Sequence, residues 1–129
     1  MIAVRYFSKL GNTAKIAEAI AHGAGVEAVS IADEPMLNKH TDILFLGGAP
    51  YANIMAPELK EYVGRLSPDL VGKVVLFTTS NWSRRTVYAL KKLLKDRGIA
   101  VEKKYFYAHM LHIRGRLDAA RKFGKNMVT

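Results

Sequence analysis

Two stretches, Ile43-Leu44-Phe45-Leu46 and Val74-Val75-Leu76-Phe77, constrain the fold more than anything else in this chain. Each is a continuous apolar run of strand length, without the polar alternation of a half-solvated strand. A strand that is apolar on both sides must be covered on both sides, as in a parallel sheet packed between helices. The first run is closed by Gly47-Gly48.

Helical patterns separate and flank these runs. Residues 2–7 read as a first strand and 13–22 as a helix, with Ile16 and Ile20 inward and Lys15 and Glu18 outward. Residues 26–31 read as a second strand. Pro57 suits the first turn of a helix whose stripe is Leu59, Tyr62, Val63 and Leu66. Residues 85–97 are the clearest helix: Val87, Leu90, Leu93 and Leu94 share one face, Lys91, Lys92 and Lys95 the other, and Gly98 stands at the C-terminal cap position. Residues 99–107 are expected to form a fifth, more polar edge strand. Leu117, Ala120, Phe123 and Met127 mark a last helix. Only residues 32–41 join the second and third strands, near the lower limit for a parallel crossover; Asp33-Glu34-Pro35 could open a helix of a turn or two there. Strands alternating with helices predict one parallel sheet with helices on both faces. The 129 residues, half of them hydrophobic, suit a single domain over 1–129 with one buried core.

In such sheets ligands bind beyond the carboxyl ends of the strands, where strand order reverses. Three loops should meet there. Ser8-Lys9-Leu10-Gly11-Asn12-Thr13 is rich in donors and opens directly into a helix. Free N–H groups at a helix start, together with the Ser8, Asn12 and Thr13 side chains, can all point at one anion, and Gly11 permits close approach or positive φ. Phosphate is the natural occupant; an ordinary turn capped by Asn12 or Ser8 is the competing reading. Ala49-Pro50-Tyr51-Ala52-Asn53 and Thr79-Ser80-Asn81-Trp82-Ser83 each set an aromatic and an amide just past a buried strand. Two aromatics flanking one crevice suit a flat heteroaromatic ligand.

Ser8-x-x-Gly11-Asn12-Thr13 resembles the flavodoxin phosphate loop, Ser/Thr-x-Thr-Gly-Asn-Thr, and the order of elements resembles that family over nearly the whole chain. The resemblance implies a flavodoxin-like doubly wound five-stranded parallel sheet of order 2-1-3-4-5. It implies FMN as cofactor, with its phosphate held by Ser8, Lys9, Leu10, Gly11, Asn12 and Thr13. It implies Tyr51 and Trp82 as neighbours of the isoalloxazine ring. Pro50, Ala52, Asn53, Thr79, Ser80 and Asn81 complete the implied binding set, chiefly along the ring edge. The implied function is electron transfer to a redox partner protein. Leu10 departs from the family by standing where flavodoxins usually carry Thr.

The chain has no cysteine and a formal net charge of +9. Disulfides, thiol catalysis and iron–sulfur ligation are excluded, and a cytoplasmic setting is expected. Arg5 interrupts the first apolar run, so no secretory leader is expected, nor any membrane span. The positive charge is compatible with acidic proteins, phosphate-bearing ligands or nucleic acid. Flavodoxins are typically acidic, so an acidic partner would fit this chain better than the family's usual one.

Other chemistry finds little support. His109-Met110-Leu111-His112 has metal-like spacing but no evident third ligand. No catalytic acid–base pair stands out, and the places where a receiver domain carries its acidic residues hold Ser8-Lys9 and Gly47-Gly48. Lys103-Lys104-Tyr105-Phe106-Tyr107 interleaves bases with aromatics, as single-stranded nucleic-acid surfaces do, yet reads better as an edge strand with buried aromatics. Two further functions remain open: an FMN-dependent NAD(P)H/quinone-type reductase, and a non-flavin basic binding module.

Overall fold

The computed structural model describes residues 1–51 and 54–129. Its elements run β1 (Ile2–Tyr6), α1 (Asn12–Ala24), β2 (Ala28–Ser30), β3 (Thr41–Gly48), β4 (Pro50–Tyr51), β5 (Ile54–Met55), α2 (Pro57–Gly64), β6 (Val71–Ser80), α3 (Arg85–Asp96), β7 (Phe106–His109) and α4 (Ile113–Val128). Five strands form one sheet of order β2-β1-β3-β6-β7, every neighbouring pair parallel. Counting only these strands, the order is 2-1-3-4-5, the flavodoxin-like doubly wound arrangement expected. No helix of the described residues is long and apolar enough to cross a membrane.

The two continuous runs lie side by side at the sheet's centre, with Leu44 opposite Val74 and Leu46 opposite Leu76. Successive residues point to opposite faces. Leu44, Leu46, Val74 and Leu76 meet Leu59, Tyr62, Val63, Val87, Leu90 and Leu94 of α2 and α3. Phe45, Val75 and Phe77 meet Ile16, Ile20 and Ala120 of α1 and α4. Each Val, Leu, Ile and Phe side chain among them, removed from water, contributes roughly 1.5–3 kcal/mol. Both cores therefore draw on the same two strands, which explains the absence of alternation. β3 runs through Gly47 and Gly48 instead of stopping before them: both pair with β6, and the Thr78 hydroxyl donates to the Gly48 carbonyl at 2.7 Å.

Two local expectations are corrected. The fifth strand is displaced. Residues 100–102 touch β6 briefly, through Val74 N to Ala100 O (2.9 Å) and Glu102 N to Val74 O (2.8 Å), and sustained pairing begins only at Phe106. Neighbouring strand residues face opposite sides, so a strand through Lys103-Lys104 would bury one lysine; both are exposed and the chain bows away. No helix forms between β2 and β3. The Ser30 carbonyl closes turns with Asp33 N and Glu34 N, each at 3.0 Å, and Ile31 and Leu37 cover the core. Glu34 in turn accepts from Arg5 at 3.1 Å, which pairs the one charged residue buried in β1. A short antiparallel hairpin, β4–β5, was not foreseen.

Candidate functional site

The carboxyl ends of β1, β3 and β6 bring the three loops together at the point where strand order reverses. Helix α1 starts at Asn12, with Gly11 at the cap position at φ 91° and no side chain capping the turn. The cap position is thus held by neither Asn12 nor Ser8, although the Ser8 hydroxyl does accept an N–H within the turn. Gly11 takes the left-handed conformation that disfavours other residues. Its N–H donates to the Ser8 hydroxyl at 3.0 Å, so Ser8 keeps its own O–H to donate outward. The first N–H groups of α1, beginning with Asn12 and Thr13, have no intrahelical acceptor and sit at the positive end of the helix dipole.

Thr13 and Thr79 are both buried, and their hydroxyls meet at 2.7 Å. This contact ties the start of α1 to the end of β6. One hydroxyl donates to the other, so the pair retains one O–H. Ser8, Leu10, Asn12, Thr13, Pro50, Tyr51 and Thr79 of the expected residues line a single cleft of about 70 Å³, together with Ala49 and Met110. That space matches a phosphate-sized group; a drug-sized ligand needs roughly 300 Å³ or more. A flat ring attached to such a group would have to lie outside the cleft.

Tyr51 is braced from two sides. Its hydroxyl accepts from Lys9 N at 2.8 Å, and its ring meets Phe7 edge-on at 6.2 Å. The Lys9 ammonium lies 4.6 Å from the same ring's centre. Burial raises the Tyr51 hydroxyl's pKa, partly opposed by the Lys9 hydrogen bond. Tyr51 is thus neutral at ordinary pH and keeps its proton for donation. Ala52 and Asn53 lie outside the described residues.

The third loop is held by β7. Trp82 is the only non-glycine with positive φ among the described residues, at 70°. Left-handed backbone costs an ordinary L-residue roughly 1–2 kcal/mol, so its neighbours must fix it. Trp82 N donates to the Tyr107 hydroxyl at 2.7 Å, which donates onward to Ser80 O at 2.9 Å. Arg84 donates to Trp82 O at 3.0 Å and lies 3.4 Å over the Tyr107 ring. The indole is 73% exposed and meets His109 at 4.6 Å between ring centres. Ser80 donates to Ser83 O at 2.6 Å, and Asn81 pairs with His109 at 2.8 Å. These two side chains shape the loop. Lys9, Gly11, Ser80, Asn81 and Trp82 stand outside the cleft lining.

Tyr107, His109 and Met110 were missed from the sequence. The signal for Tyr107 and His109 is the period of two: Phe106 and Ala108 are buried in the α1/α4 core, which turns Tyr107 and His109 to the opposite side; Met110, just past the strand, carries no such signal. The aromatics at 105–107 do not form an open stacking surface. Each lies under a cation of the same chain: Lys91 over Tyr105, Arg116 over Phe106, Arg84 over Tyr107. No group of three His, Asp or Glu suited to a metal occurs among the described residues.

Residues 3–116 match the flavodoxin domain family. Among solved structures, the chain is similar to oxidised flavodoxin 1 of Bacillus cereus: 20% identity, TM-score 0.79, over 99% of this chain and 97% of that one. It is similar to the two-electron reduced flavodoxin of Megasphaera elsdenii, with 23% identity and TM-score 0.73 over 98% and 99% of the two chains. The flavodiiron protein of Giardia intestinalis gives 20% identity and TM-score 0.81 over 98% of this chain. This chain spans only 35% of that protein. At these identities the likenesses show the fold. No protein of curated function matches the chain by sequence.

Proposed function

This chain belongs to the flavodoxin family, and we propose that it works as one FMN-binding domain over residues 1–129, passing electrons to a protein partner in the cytoplasm. FMN is the cofactor that membership implies, and the donor set fits its phosphate. The uncapped start of α1 at Gly11 carries this reading, because it opens beside the cleft that Ser8, Asn12, Thr13 and Thr79 share. Backbone N–H groups of Asn12 and Thr13, the free O–H of Ser8 and the remaining O–H of the Thr13–Thr79 pair would donate to the phosphate oxygens. Lys9 adds positive charge close by. Tyr51 and Trp82, carried on separate loops, would border the ring, with Pro50, Ala52, Asn53, Ser80 and Asn81 forming the loops around its edge. Leu10, 79% exposed, would cover the phosphate side without a hydroxyl contact.

FMN, when bound, supplies the one- and two-electron chemistry. The chain's part is to hold, orient and surround it. Gly11→Val tests the phosphate loop. Nothing lies within 4 Å of a side chain added there, so the cost is backbone strain of roughly 1–2 kcal/mol. The expected result is a folded protein, by circular dichroism, whose FMN affinity falls at least about tenfold. Unchanged affinity in the FMN titration would remove residues 8–13 from the site.

A further inference from the structure

A second concavity of about 520 Å³ lies between α3 and the β4–β5 hairpin. Its lining combines the apolar Ile54, Met55 and Tyr88 with the cations Lys60, Arg85 and Lys92. We propose that this groove docks an acidic redox protein that inserts an apolar side chain between Tyr88 and the hairpin. The proposal rests on the FMN reading for the word redox, and on the groove itself for the docking.

Ile54 is 67% exposed and Tyr88 60% exposed. Large apolar side chains sharing one groove at the surface mark an interaction site, and a tyrosine at the centre is a common anchor. The charge is one-sided. No carboxylate lines the groove. Helix α2 sorts its charges, turning Glu58 and Glu61 to a different cleft beside Phe7 and Tyr62 and leaving Lys60 here. Lys92 meets Asp96 at 3.8 Å, an exposed pair four residues apart, and such pairs are weak enough to yield to a partner. A lining of cations and apolar side chains complements carboxylates beside an apolar knob, which both steers encounter and fixes orientation.

The groove also adjoins the proposed flavin loops. Ile54 pairs with Tyr51 across the hairpin, and Arg85 follows Trp82 by three positions. A protein seated there lies against both. Nucleic acid fits less well, because the hairpin contributes Ile54 and Met55, which offer no ring for a base to stack on, and the aromatics at 105–107 are already covered by cations of this chain.

An acidic [2Fe–2S] ferredoxin serves as the probe, titrated calorimetrically into the FMN-equilibrated protein. Binding should weaken at least about tenfold between about 50 mM and about 300 mM NaCl. Tyr88→Ser and Lys92→Glu should each weaken it about fivefold or more. Lys122→Glu, at an exposed position of α4, makes the same charge change and should have less than about a twofold effect. All three side chains are solvent-facing, and FMN titration of each variant should match the parent. Equal loss in Lys122→Glu, no loss in Tyr88→Ser, displacement by a single-stranded oligonucleotide, or a flat titration would each overturn the proposal. A parent protein that takes no FMN but still binds ferredoxin through Tyr88 and Lys92 would refute the flavin reading alone.

Discussion

At the scale of single residues, Trp82 holds the most informative position. It is a bulky residue at φ 70°, fastened through its backbone N–H and carbonyl to Tyr107 and Arg84, while its indole stays largely in solvent. Strained backbone of this kind gathers at ligand sites. Trp82→Gly should therefore leave stability within about 1 kcal/mol of the parent, because the relieved strain offsets the added freedom of glycine in the unfolded chain. A buried tryptophan would lose several times more. FMN affinity should fall in the same variant. Urea unfolding and a flavin titration check both parts; a large loss of stability with unchanged flavin binding would make Trp82 a packing residue. The sequence makes Trp82 a candidate from its place after a buried strand. It could not show that Tyr107 and Arg84 fix its backbone, because those contacts depend on how far β7 runs along β6.

At the scale of elements, α1 and α4 pack through glycine. A side chain at Gly124 would press on the Ile20 carbonyl, and one at Gly23 on the Arg121 carbonyl. Gly124→Ala should cost about 1–3 kcal/mol in urea unfolding, because backbone must move. Gly115→Ala, in the same helix with nothing within 4 Å, should gain up to about 1 kcal/mol from helix propensity. Equal effects in the two variants would contradict this packing. The central sheet was legible because β3 and β6 are apolar on both faces, a pattern few other arrangements satisfy. β7 was not, because the aromatic and basic residues at 103–107 look like a continuous strand until the cost of burying one of two adjacent lysines is counted. The hairpin β4–β5 escaped notice because two-residue strands carry no periodicity. Of the loops, the phosphate turn was readable from its glycine and hydroxyls. The Thr13–Thr79 contact, between residues far apart in sequence, was not.

At the scale of the molecule, the net charge of +9 acts on any bound flavin. Fully reduced FMN tends to lose a proton and become anionic, and a positive field favours that anion. The midpoint potential should therefore be less negative than in acidic flavodoxins. It should fall as salt rises and the screening length shortens from about 30 Å at 0.01 M to about 10 Å at 0.1 M. Redox titrations at those two salt concentrations check the sign, and a potential that rises or stays fixed with added salt would exclude the long-range field as a cause. Locally the charge is sorted around α2: Lys60 joins Arg85 and Lys92 at the α3 groove, whereas Glu58 and Glu61 share the other cleft with Arg65.

Trp82 is the chain's only tryptophan, so its fluorescence reports on the proposed site alone. Titration with FMN and, separately, with riboflavin compares the same ring with and without phosphate. FMN should quench Trp82 saturably at one equivalent and bind at least about a hundredfold more tightly than riboflavin, since charge-assisted hydrogen bonds contribute about 1.5–3 kcal/mol each. Equal affinity for the two flavins would contradict a phosphate anchored at the start of α1, and an indole signal that neither changes would remove Trp82 from the ring's border.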